Sequence, residues 1–111
     1  MNNYYDKYIK YKSKYLLLKG GMNSDNEEKL QKLINAFKKN FKSFSPLICF
    51  AIKSNTNVNL IREIKNFGLG ADVVSIGELM IALKAGINPK KIVFSGVGKT
   101  SNEINFAIDK K

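Results

Sequence analysis

From Pro46 onward the chain repeats one pattern three times: a short apolar run, a turn, then apolar residues at helical spacing. The runs are Leu47–Ile52, Ala71–Val74 and Lys91–Phe94. Leu60, Ile61, Ile64 and Phe67 follow the first run, Ile76, Leu79, Met80 and Leu83 the second, and Ile104, Ala107 and Ile108 the third. Strands that alternate with single helices at intervals of roughly 20–24 residues return to one sheet by right-handed crossovers, so their strands run parallel. Local signals agree with this period. Ser75-Ile76-Gly77-Glu78 and Thr100-Ser101-Asn102-Glu103 are capping-box sequences at helix starts, and Gly86 stands where the second helix should stop. The expected class is α/β.

The residues before Pro46 divide into three blocks. Residues 1–19 hold all five tyrosines, and Tyr4, Tyr8, Tyr11, Tyr15 and Leu18 are spaced for one stripe of a basic amphipathic helix. Gly20-Gly21 ends that block, and residues 20–26 are expected to be a linker. A second helix is expected from Glu27 to Phe41, on Leu30, Leu33, Ile34, Phe37 and Phe41, with Ser24 or Asp25 as its cap. Residues 27–111 then form the one domain that 111 residues can supply.

Composition removes several chemistries. The chain has no histidine and a single cysteine, Cys49, so Ser-His and Cys-His catalysis, imidazole–metal sites and an internal disulfide are excluded within it. The net charge of +10 is spread along the sequence and comes almost entirely from lysine. Abundant lysine and asparagine together can follow from an AT-rich coding sequence, so nucleic acid is not an expected partner. No apolar run approaches the roughly 18–20 residues of a membrane span, and no signal peptide is evident, which points to the cytoplasm.

Lys53 is the first candidate for chemistry. Along Leu47–Lys53, period two puts Ile48, Phe50 and Ile52 on one face and Cys49, Ala51 and Lys53 on the other. Lys53 thus projects from the carboxyl end of a buried strand, where parallel α/β sheets place their ligands. A desolvated lysine can act as an amine nucleophile toward carbonyls, whereas a solvated one merely snorkels to water. Asp72, between Ala71 and two valines, either faces a cation, with Lys53 on the neighbouring strand the obvious one, or opens the strand at an exposed rim. Glu78 is fully accounted for as the third residue of a helix, reaching back to the N–H of Ser75. Gly96-Val97-Gly98-Lys99-Thr100 suggests a phosphate-binding loop, but Val93 stands where the Walker pattern requires glycine.

Three segments carry a family resemblance. Ala51-Ile52-Lys53-Ser54-Asn55 resembles the lysine segment of the fold-type III pyridoxal-phosphate decarboxylases, which act on ornithine, diaminopimelate and arginine. Gly70-Ala71-Asp72-Val73-Val74-Ser75-Ile76-Gly77-Glu78-Leu79 resembles their next strand and helix start. Lys91 to Thr100, KIVFSGVGKT, is similar to the diaminopimelate branch. The resemblance spans about residues 44–111. It implies an alanine-racemase-like (β/α)8 barrel, here represented by about three βα units behind N-terminal helices. It also implies that Lys53 holds pyridoxal phosphate as an internal Schiff base, with Ala51, Asp72 and Glu78 beside the cofactor. An amino acid is the implied substrate, and a homodimer or a C-terminal partner chain the implied assembly.

A barrel of this type needs about 250 residues. The expectation is therefore a truncated or split piece that carries the Schiff-base lysine and does not decarboxylate alone. The alternatives are a pyridoxal-phosphate carrier of the same fold and a non-catalytic interaction module. The Tyr/Lys block with Gly-Gly is similar to leaders on proteins of giant DNA viruses. That implies a host-cytoplasm or virion location, with packaging by the leader and cleavage after Gly21.

Overall fold

A computed structural model describes residues 23–110 and, as backbone, the strand at residues 8–11. In chain order the elements are β1 (Tyr8–Tyr11), α1 (Ser24–Asn40), β2 (Leu47–Ala51), α2 (Val58–Asn66), β3 (Gly70–Val73), α3 (Ile76–Lys84), β4 (Ile92–Phe94) and α4 (Ser101–Ile108). Single 3-10 turns at Ile52–Ser54 and Pro89–Lys91 follow β2 and precede β4. The strands make one sheet in the order β1-β2-β3-β4. Every neighbouring pair is parallel, so the three strand–helix units expected from residue 46 onward are present.

The N-terminal block departs from expectation. Tyr8–Tyr11 is a strand paired with β2 in the register Tyr8↔Leu47 to Tyr11↔Phe50, where a helix was expected over residues 1–19. Tyr-Ile-Lys-Tyr suits a strand by composition, and pairing satisfies the backbone groups that an open β2 edge would expose. The remaining residues up to 22, including Gly20-Gly21, lie outside the described residues. The expected linker is also too long: Ser24 to Asn26 already form the first turn of α1. The cap is Asn23, whose side chain accepts from the N–H of Asn26 at 2.9 Å.

The core lies between the sheet and the helices on one side of it. Ile48, Phe50 and Ile52, together with Ala71 and Val73, meet Leu60, Ile61 and Ile64 of α2 and Leu79 and Ala82 of α3. Leu30 and Ile34 of α1 extend the same cluster. Ile61 and Ile64 are fully buried, and each such side chain contributes about 1.5–3 kcal/mol by leaving water. Gly86 ends α3 as expected. Its φ of +86° belongs to the left-handed region, and the N–H of Ile87 donates back to Ala82 at 3.1 Å.

Among the described residues, no helix is long and apolar enough to cross a membrane. No group of three or more potential metal ligands occurs among them either.

Candidate functional site

The face of the sheet opposite the core is built from small side chains. Cys49 and Ala51 are buried yet stand outside the apolar cluster, as the alternation along β2 requires. Gly70 is Cys49's partner in the register, and there is no room for anything larger. A Cβ on Gly70 would lie 2.1 Å from the carbonyl oxygen of Lys91. One step toward the carboxyl end, Ala51, Asp72 and Val93 form a row across three strands.

Lys53 lies two residues beyond Ala51, in the 3-10 turn rather than in the strand itself. Its side chain is exposed at the carboxyl end of β2. Two hydrogen bonds hold the turn: Ser54 Oγ donates to Ala51 O at 2.7 Å, and Asn55 N–H donates to Ile52 O at 3.0 Å. The backbone that carries the amine is therefore fixed while the amine is reachable from solvent.

Asp72 is the only buried charged side chain among the described residues, at 6% exposure. It does not open the strand at an exposed rim. Its Oδ1 accepts a 2.6 Å hydrogen bond from Ser95 Oγ. Ser95 is not among the site residues expected from the sequence. It lies two residues beyond Val93, and the β3–β4 register puts it in phase with Asp72's side of the sheet. Its own N–H donates to Val73 O at 2.8 Å, which carries the ladder one step beyond β4.

Glu78 behaves differently from the capping box expected of it. Ser75 caps α3 by accepting from Glu78 N–H at 3.2 Å. The Glu78 carboxylate, however, accepts from the N–H of Val74 at 2.9 Å, one residue before the cap. That bond clamps the segment between β3 and α3. The second expected box is complete, with Thr100 and Glu103 each bonded to the other's backbone N–H.

The glycine-rich turn after β4 closes on itself. Gly96 and Gly98 take φ of +97° and +76°, Lys99 Nζ donates to Gly96 O at 2.6 Å, and the same amine lies 5.2 Å from the Phe94 ring centre. The Lys99 amine is thus turned back onto its own loop. An apolar groove of about 240 Å³ lies between α3, β4 and α4, lined by Leu79, Leu83, Ile92, Phe94, Ile104 and Ile108 among others. It belongs to the helix side of the sheet, and its lining offers no acid or nucleophile other than the amines of Lys99 and Lys110.

Comparison with known proteins shows the family and the fold. Residues 27–111 match the family model described as "Pyridoxal-dependent decarboxylase, pyridoxal binding domain". A diaminopimelate decarboxylase of Helicobacter pylori is 43% identical over 108 residues, covering 97% of this chain and 25% of that protein. That alignment takes in most of residues 1–21, which the motifs alone place outside the family. The diaminopimelate decarboxylase of Aquifex aeolicus is 36% identical, over 95% of this chain and 27% of its own length.

Among solved structures, Helicobacter pylori diaminopimelate decarboxylase complexed with L-lysine superposes with a TM-score of 0.66. The identity is 44%, over 75% of this chain and 21% of that one. Ornithine decarboxylase of Entamoeba histolytica gives a TM-score of 0.63 at 30% identity, over 75% of this chain and 25% of that one. This chain thus spans about a quarter of the length of these relatives. Its parallel sheet and crossover helices are part of their β/α barrel, and the chain belongs to the pyridoxal-dependent decarboxylases through the pyridoxal-binding domain that residues 27–111 match.

Proposed function

We propose that Lys53 is the residue to which pyridoxal phosphate attaches, and that the chain is the lysine-bearing part of an amino-acid decarboxylase of the diaminopimelate type. One observation supports this above the others. A solvent-reachable primary amine stands on a fixed turn at the carboxyl end of a parallel strand, one strand away from a buried carboxylate. The donor set suits an aldehyde cofactor, since a primary amine can attach to an aldehyde covalently.

The bound cofactor would act as an electron sink when the substrate loses carbon dioxide. The chain's own residues supply the rest. Lys53 Nζ would hold the cofactor until a substrate amine displaces it. Ala51, by its small size, would leave the inner face open beneath the ring. Asp72 would hold positive charge on the amine side, and Glu78 would fix the β3–α3 segment that carries Asp72. A diamino dicarboxylic acid is the proposed substrate class, with a lysine-like diamine acid as product. A second copy or a further chain of the same family is the proposed partner for completing the site.

Borohydride trapping tests the reading. The chain is incubated with pyridoxal phosphate, reduced and digested, and the labelled lysines are read by mass spectrometry. Label is expected preferentially on Lys53 and lost from that peptide in Lys53→Ala. Label spread evenly over the lysines, with a total unchanged in Lys53→Ala, would overturn it.

A further inference from the structure

We propose that two copies of this chain close into one eight-stranded parallel barrel, with β4 of each copy pairing with β1 of the other. This deepens the reading above by naming a second copy as the partner. It rests on that reading only for what the closed barrel would serve.

The described residues form four strand–helix units, β1-α1 to β4-α4, with the strands in sequence order and all parallel. A closed barrel of such units has eight strands, so one chain supplies half. Two edges are open among the described residues, one at β1 and one at β4. A two-fold axis along the barrel joins each β4 to the other copy's β1 in parallel and leaves no edge. Pairing of β4 with β4 would leave both β1 edges open.

The last unit is the unfinished one. In this fold a crossover helix covers the strand before it and the strand after it, and among the described residues no strand follows α4. Helices α1, α2 and α3 each bury two or three side chains, whereas α4 buries none. Strands β2 and β3 are buried almost throughout, while all three residues of β4 are only half-buried. Ile104 and Ile108 of α4 remain 44% and 51% exposed, and both line the apolar groove beside β4. The β4 sequence, Ile-Val-Phe, carries none of the charges or prolines that protect a sheet edge. A strand laid against β4 would lie under the uncovered half of α4, so one contact extends the ladder and fills the groove.

Sedimentation equilibrium of the full chain reads the association, and far-ultraviolet circular dichroism checks that each variant folds. A dimer is expected. Ile104→Asp combined with Ile108→Asp puts two charges into the groove, and is expected to weaken the dimer at least about tenfold, because an unpaired charge is costly to bury. Cross-linking reads which strands meet. With Cys49→Ala as background, a chain carrying Ile9→Cys and a chain carrying Val93→Cys are mixed in urea, refolded together and treated with a short bis-maleimide. Covalent dimers are expected in the mixture and in neither chain alone, because like strands stand on opposite sides of the closed barrel.

A monomer, or an open-ended series of larger assemblies, would overturn the proposal. So would a dimer that survives the two aspartates, or Val93→Cys chains that link to one another. Trapping of pyridoxal phosphate on the same samples separates the two readings. A cross-linked dimer without Lys53-selective label keeps the closure and sinks the cofactor assignment, and a monomer with that label does the reverse.

Discussion

Gly70 offers the sharpest test of the sheet that positions the site. It pairs with Cys49, and an added Cβ would meet the Lys91 carbonyl oxygen at 2.1 Å and Cys49 Sγ at 3.1 Å. The first contact is with backbone, so no rotamer change relieves it. The 3-10 turn before β4 would have to move, and β4 with it. Overfilling a packed interior ordinarily costs about 1–3 kcal/mol, and a fixed backbone partner puts Gly70→Ala at or above the top of that range. Against a total stability of roughly 5–15 kcal/mol that is a large share, and it corresponds to a fall in melting temperature on the order of 10–20 °C. Two other glycines serve as controls. Gly68 has φ of +82° but open space around it, so Gly68→Ala should cost only the strain of a left-handed alanine, about 1 kcal/mol. Gly77 lies within α3 with Ser75 Oγ at an ordinary 3.8 Å, so Gly77→Ala should be neutral or stabilise by up to about 1 kcal/mol. Urea unfolding followed by circular dichroism ranks the three. A Gly70→Ala midpoint at or above that of Gly68→Ala would refute the steric reasoning.

Two further predictions concern α4 and the core. The Glu103 carboxyl is held below its ordinary value of 4.5, first by the backbone N–H of Thr100, then by its hydroxyl, with a smaller contribution from Lys99. Because the folded form binds this proton less readily than the unfolded chain, the contribution is complete above 4.5 and is lost as pH falls through the lowered value. Thermal melts at acid pH should therefore show a loss that Glu103→Gln no longer shows, and identical acid sensitivity in the two proteins would count against the capping box. Ile61 is fully buried between α2 and the sheet, so Ile61→Ala should cost about 2–5 kcal/mol by urea titration, and a cost under about 1 kcal/mol would mean that α2 is not packed there.

The period of the sequence carried most of the fold. Apolar runs and helical stripes after Pro46 fixed the strands to within a residue or two, and Gly86 and the Thr100–Glu103 box marked their helix ends correctly. The errors arose where local pattern and tertiary context diverge. Tyr4, Tyr8, Tyr11, Tyr15 and Leu18 have a helical spacing, but four residues of that block also suit a strand, and the open edge of β2 decides between them. Ile52 continues the apolar run and Lys53 its alternation, yet the chain leaves the sheet at Ala51, where Ser54 bonds back to that carbonyl. Glu78 was legible as a helix-start acid, while the choice between the N–H groups of Ser75 and Val74 depends on how β3 enters α3. Period two marks Lys53 as a candidate, and Asp72 is marked as an acid among Ala71 and two valines. Ser95 could not be singled out before the register between β3 and β4 was known, since only the ladder brings it beside Asp72.

The core and the candidate site occupy different sides of the same strands, which accounts for the residues that each side carries. On β3, Ala71 and Val73 enter the core while Gly70 and Asp72 do not belong to it. A buried carboxylate in the apolar cluster would cost several kcal/mol unless fully partnered. On the opposite face the Asp72 carboxylate accepts the hydroxyl that Ser95 presents. The alternation of a strand separates the two requirements, because side chains of opposite phase stand on opposite faces of the sheet. The functional side chains also stand at the last rungs of the ladder. The Ser95 N–H extends β4 by one ladder bond, and two local hydrogen bonds close the turn after β2 that carries Lys53. The same period-two rule that makes this sheet fold therefore leads to an exposed lysine beyond the end of β2 without exposing the core beneath it.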